Sequence, residues 1–354
     1  MSEAELGIGP GGSKTASEGP SPASTVGAVD RRRFLTLSGT SALALSGVTR
    51  SGRHSVDPAL VGYFRHQLTG HYAADMLLGS GDLITSVVAE GHLIGRLLDD
   101  AEPGVRGPLA EVGSAYAAFV GWLYLDTGDP EAALHWHGTA LELAHRSGNP
   151  EAVACSLVDR AMAHTDCGAG VAVVDLCTNA LSDGRRLSPE VRVFALQQQA
   201  HGASLLGDRR EVDVLLDEAA RLIGQVDVEQ WGTACLRTPA YVEVQRATCY
   251  GRLGDAADAD RLWTQIIPAS PPISRRDVGV WSARHARVKA SMGDPEHALD
   301  LARTAAVITM ETRSARGANE LLGLARDMRT WHDAPVGQAL ADVLTPISQG
   351  GVNG

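Results

Sequence analysis

The chain has 354 residues and 44% hydrophobic side chains, room for one extended repeat domain plus a tail or for two ordinary domains. Aromatics make up only 5%, and alanine and leucine carry the apolar load, which argues for helices and against a β-sandwich. A net charge of −11 argues against a large nucleic-acid footprint, which needs a basic face to neutralise phosphates, and leaves room for a small local one.

Residues 1–30 are rich in Gly, Ser, Pro and Ala without periodicity and are predicted to be a disordered tail. Residues 31–56 come next, as a linker or a twin-arginine-like segment. Arg31-Arg32-Arg33-Phe34-Leu35 and the apolar stretch to residue 48 outline an export signal, too short to span a membrane. The alternative is a short helix or linker that docks on the repeat domain. The compartment is therefore cytoplasmic, or reached through twin-arginine export.

Helical spacing then predicts helices over 60–78, 83–98 and 109–126, the last closed by Gly128. Asp129-Pro130-Glu131 caps and opens the next helix, which runs to about residue 146, where Gly148-Asn149-Pro150 stops it. Gly293-Asp294-Pro295-Glu296 repeats this device, and Gly207-Asp208 and Gly254-Asp255 are versions without proline. Longer connections fall at 226–238 and 268–275. A helix from 317 to 328 and a terminal one over 335–344 complete a repeat domain spanning 57–345, with 346–354 expected to be disordered.

The repeat itself is anchored on Gly128, Gly168, Gly207, Gly254 and Gly293. Seven residues before each anchor stand Gly121, Ala161, Ala200, Ala247 and Ala286; five after it, Ala133, Val173, Val212, Ala259 and Ala298. Twelve after it stand Ala140, Ala180, Ala219, Ile266 and Ala305. Closely stacked helices need small residues where their axes approach, so the period predicts an all-α solenoid of helix pairs.

The order Val120-Gly121, Tyr124, Gly128-Asp129, Ala133 matches the tetratricopeptide motif, and Ala247, Tyr250, Gly254-Asp255, Ala259, Trp263 match it again. The other three repeats carry His164, Ala203 and Lys289 at the tyrosine position. The chain thus resembles a divergent tetratricopeptide array with helices longer than standard, which implies a right-handed superhelix. Three segments carry a narrower resemblance. They are Phe64-Arg65-His66-Gln67-Leu68-Thr69-Gly70-His71-Tyr72, Ala195-Leu196-Gln197-Gln198-Gln199-Ala200-His201-Gly202, and the run from Arg237-Thr238-Pro239 through Gln245-Arg246-Ala247-Thr248-Cys249-Tyr250 to Gly254. Together they are similar to the C-terminal sensor region of actinomycete XRE-type transcriptional regulators. In that family an Arg-Arg-x-Phe-Leu segment joins a helix-turn-helix domain to the repeats. Here only a short stub precedes Arg31, so the expectation is a regulatory protein without its own DNA-binding domain.

The concave face of a solenoid is lined by the first helix of each pair. In the tetratricopeptide register the inward residues include Trp122 and Asp126, then Thr165, Gln197, His201, Gln245, Thr248, Arg252 and Arg287, a mixed polar groove with one aromatic and two cations. Arg can hold a carboxylate, and amides can pair with extended backbone. The expected ligand is a peptide, a small-molecule signal or a partner protein, with a homodimer as a further association and neither nucleic acid nor membrane as a partner. A protein–protein adaptor without small ligand is the alternative. Glu243 and Arg246 read as an i,i+3 surface pair worth roughly a few tenths of a kcal/mol.

No enzyme is expected. His135 and His137 lie about 200° apart on a helix and cannot chelate from one face. No G-x-S-x-G elbow is present, and the glycines before residue 13 do not sit between a strand and a helix. The five cysteines form no C-x-x-C pair, so neither a metal nor a disulfide framework is predicted, and no cofactor.

Overall fold

A computed structural model describes residues 55–182, 187–226, 240–270 and 275–350, all within one compact unit, His54–Gly354. The expected tail, the twin-arginine-like segment, most of the first long connection and half of the second lie outside the described residues. Among the described residues all regular structure is helical, in fourteen α-helices and two single 3-10 turns. The first pair is α1 (Ala59–Leu78) and α2 (Ile84–Asp100). Five further pairs succeed it: α3 (Pro103–Thr127) with α4 (Pro130–Ser147), α5 (Pro150–Asp166) with α6 (Gly170–Leu181), α7 (Pro189–Leu205) with α8 (Arg209–Ile223), α9 (Tyr241–Leu253) with α10 (Ala256–Ile266), and α11 (Arg275–Ser291) with α12 (Pro295–Thr312). The chain ends with α13 (Ala315–Asp327) and α14 (Pro335–Gly350).

Each anchor glycine closes the first helix of a pair in a left-handed conformation, with φ between 72° and 87°, which a residue with a Cβ resists. An N-cap comes next in most pairs. Asp129 accepts from the Ala132 amide at 2.9 Å and Asp208 from the Glu211 amide at 2.9 Å. Asp255 differs: its carboxylate bonds Arg209 of α8, so the Gly254-Asp255 pair ties two repeats together instead of capping α10.

All fifteen small or aliphatic residues at the three periodic offsets are buried. At one close approach, Gly121 of α3 faces the imidazole of His137 on α4, and a Cβ at Gly121 would lie 2.5 Å from the ring. That is why this repeat has glycine where the others have alanine.

Two boundaries differ from the expectation. Helix α3 starts at Pro103, six residues early, because Pro103 sits at the first helical position with its φ already set. Helix α14 runs on to Gly350 past the expected helix end at 344 and the expected domain end at 345, since Ile347 joins Leu340 and Leu344 in the core against α12 and α13.

Odd-numbered helices form an inner layer. From α3 onward each packs against the next odd helix, and α13 also packs against α3. The even-numbered helices α4, α6, α8, α10 and α12 pack against the odd ones on either side of them in the chain. Amphipathicity explains the division: α8 and α10 are strongly one-sided, with Leu216, Ala219, Ala259 and Trp263 buried and charged residues outside. No helix among the described residues is long and apolar enough to cross a membrane.

Candidate functional site

The inner layer surrounds a cavity of about 600 Å³ lined from α1, α3, α5, α7, α9, α11 and α13. Five lining residues occupy one register, nine positions before the anchor glycine of their repeat: Phe119, Asp159, Gln198, Gln245 and Arg284. Parallel helices in regular stacking bring the same helical face to the same place, so these five helices supply one wall residue each to one space.

Of the residues expected on the groove, Trp122, Thr165, Gln197, His201, Gln245 and Arg252 line this cavity. Thr248 and Arg287 line a smaller neighbouring space of about 240 Å³, with Arg252 on the boundary of both. Arg287 is occupied there. Its Nη1 donates to Glu320 Oε2 at 2.9 Å and its Nε to Asp327 Oδ2 at 2.7 Å. Arg284 Nε donates to the other Glu320 oxygen at 2.8 Å, and Arg284 Nη1 to Thr248 Oγ1 at 3.3 Å. Burial works against the Glu320 charge, yet the Arg284 and Arg287 guanidiniums bring its carboxyl down to about 2.

Asp126 does not line the cavity. It is 1% exposed and accepts hydrogen bonds from Ser80 Oγ at 2.9 Å, Arg276 Nη1 at 3.2 Å and Ser314 Oγ at 3.2 Å. Trp122 stands beside this cluster, with its Nε1 donating to Asp75 Oδ2 at 3.1 Å. Its ring also faces the Arg316 guanidinium, 5.0 Å from the centroid. Glu243 and Arg246 belong to a different surface. Arg246 reaches Asp213 and Asp217 of α8, so the pair holds repeats together and does not face the cavity.

His201 organises the far side of the cavity. Arg252 Nη1 donates to His201 Nδ1 at 2.7 Å, which makes Nδ1 the acceptor and leaves the proton on Nε2, where it is donated to Gln245 Oε1 at 2.8 Å. Burial, and after it the charge of Arg252, push the imidazole down to about 3, so it stays neutral. Arg252 therefore leans on a neutral partner. Burial, with Arg284 adding repulsion, lowers its own pKa. The carboxyl of Asp159, another wall residue on α5, is pushed up to about 7 by burial alone.

The expected groove underestimates this site. Six aromatic residues line it, not one: Tyr72, Phe119, Trp122, Phe194, Tyr241 and Trp281. Besides Arg252, the guanidiniums of Arg276, Arg284 and Arg316 also reach it. The register nine before each anchor would have found Phe119, Asp159, Gln198 and Arg284. Nothing in the repeat marks Arg276 or Arg316, which arrive because α11 and α13 come round to α3. Among the described residues no group of three His, Cys, Asp or Glu is placed to hold a metal ion. No protein-family model matches the chain, and no curated protein matches its sequence.

Proposed function

We propose that this chain is a non-enzymatic sensor, a right-handed superhelix of tetratricopeptide-like pairs that takes a peptide or small polar signal in its central cavity. The observation that carries this reading is the convergence of Phe119, Asp159, Gln198, Gln245 and Arg284, from five helices, on one space. Its volume of about 600 Å³ lies within the range of ~300–1,000 Å³ usual for small-ligand pockets, and its walls combine aromatic faces with a few convergent polar groups. Side chains that served only the packing of the repeats would be small and apolar at this register, as they are two positions later.

The resemblance to XRE-type sensor regions supports transcriptional control as the output, and the acidic balance of the chain supports action through a protein partner in place of direct DNA contact. A ligand bridging several inner helices would change their relative tilt, which passes to the next pair because each pair packs on its neighbours.

Native mass spectrometry of the full chain purified from its own host tests the reading. A small bound mass that is lost on unfolding is expected. Retention of a protein partner with no small molecule would instead favour the adaptor alternative.

A further inference from the structure

Two ionisable side chains of the cavity wall, Arg252 on α9 and Asp159 on α5, lack a direct partner of opposite charge among the described residues. Among the described residues Arg252 makes its one hydrogen bond to neutral His201, and the Asp159 carboxyl makes none. Among the described residues neither has an oppositely charged group within ion-pair distance, although both line the same cavity, in whose wall Asp75, Arg276 and Arg284 are paired. Arg284 is held by Glu320, and Arg276 by Asp75 and Asp126. Both are partly exposed on the cavity wall, so water meets them in the empty protein, and an occupant that displaced this water would have to supply the missing partners.

A third group points the same way. The side-chain oxygen of Gln197, on α7 between the two, is buried with no hydrogen-bond donor. An amide N–H or ammonium group of an occupant would supply it.

We infer that the occupant of this cavity is zwitterionic, a short peptide or comparable amphoteric molecule whose carboxylate is held by Arg252 and whose protonated amine is held by Asp159. The inference rests on the reading of the cavity as a ligand site. The guanidinium offers a planar fork to a carboxylate, and His201, bonded to it and to Gln245, acts as its positioning residue. The aromatic walls then contact the apolar middle of the ligand. A purely anionic ligand would leave Asp159 facing a second negative charge or empty. A purely cationic one would do the same to Arg252.

The test uses the full chain and a mixed di- to tetrapeptide pool with free termini, the same pool N-acetylated, and the same pool C-amidated, read by native mass spectrometry. Free-terminus peptides are expected to bind, with each blocked pool weaker by about tenfold or more, the strength of a charge-assisted hydrogen bond. Arg252→Gln should abolish the difference between free and amidated peptides, and Asp159→Asn that between free and acetylated ones. Equal binding of the blocked pools to the wild-type chain overturns the inference, and so does absence of binding from all three pools. A charge-fractionated metabolite extract run in parallel separates the two failures. Retention of a singly charged or neutral metabolite sinks the zwitterion and leaves the sensor standing, whereas retention of nothing from extract or pools sinks both.

Discussion

Arg276 Nη2 lies 2.7 Å from Asp75 Oδ2, joining the start of α11 to the end of α1 across 201 residues of chain. Its Nη1 bonds Asp126 Oδ2 as well, and both carboxylates and the guanidinium are nearly excluded from water. Ser314, at the head of α13, completes the cluster through Asp126. Burial raises the cost of charge on Asp75, but hydrogen bonds and charge from Arg276 hold its carboxyl below the usual range. The cluster is a clasp between the first two helix pairs and the last. Replacing Arg276 by Met strands two buried carboxylates, and should cost about 3–5 kcal/mol in chemical denaturation. A loss under about 1 kcal/mol would show that the clasp is incidental to stability.

Gly121 and His137 mark a close approach of α3 and α4. Gly121→Ala places its Cβ 2.5 Å from the ring, and His137 is fully buried and unable to swing into solvent. The expected loss is about 1–3 kcal/mol, an overpacking penalty. His137→Ala in the same chain should recover part of it, because the two residues share one space. Thermal unfolding of the two single variants and the double variant measures the coupling, and strict additivity would contradict the contact.

Asp159 should make the empty protein pH-sensitive. Its carboxyl stands at about 7 when folded and near 3.8 when unfolded. Between those values the folded state keeps a proton that the unfolded state has lost, so stability falls as pH rises from about 4 to 7. Asp159→Asn removes this loss. The variant should be more stable than wild type by roughly 1–4 kcal/mol at pH 8, and nearly equal to it at pH 4. A gain that is the same at both pH values would mean that the carboxyl is not buried in its charged form.

His137 and His201 act with the opposite sign. Burial is the first cause for both, and it holds them at about 4 and about 3, below the ordinary imidazole value of 6.5. As pH falls from 6.5 the unfolded chain takes up protons that these rings refuse, so this contribution to stability is lost progressively through their folded values. Nitrogen chemical shifts of the imidazoles should show both rings neutral at pH 5, with the His201 proton on Nε2. Protonation of His201 above pH 5 would break the assigned Arg252 acceptor.

Local chemistry accounts for what the sequence makes legible. The anchor glycines meet a left-handed requirement within one turn of the chain, Asp129 and Asp208 cap the helices beside them, and the small residues at fixed offsets mark the faces where helices touch. All of these depend on neighbours a few positions away or on the next helix. From the same information, helical spacing places Trp122, Gln197, His201, Gln245 and Arg252 on the inward face, without saying which of them will be free.

Tertiary structure decided that allocation, at Asp126 through a contact whose sequence separation carries no periodic signal. Asp126 lies one helical turn beyond Trp122 and reads equally as a groove residue. It is consumed by Arg276, 150 residues away, because the last inner helices come round to the first two. Arg287 is consumed by the next inner helix, through Glu320 and Asp327, 33 and 40 residues on, whereas Arg252 donates its hydrogen bond to a neutral histidine. How far each pair tilts on the next fixes where the layer meets itself. That tilt is a sum of many small packing differences, so the closure that makes a cavity from a groove is a property of the assembled chain.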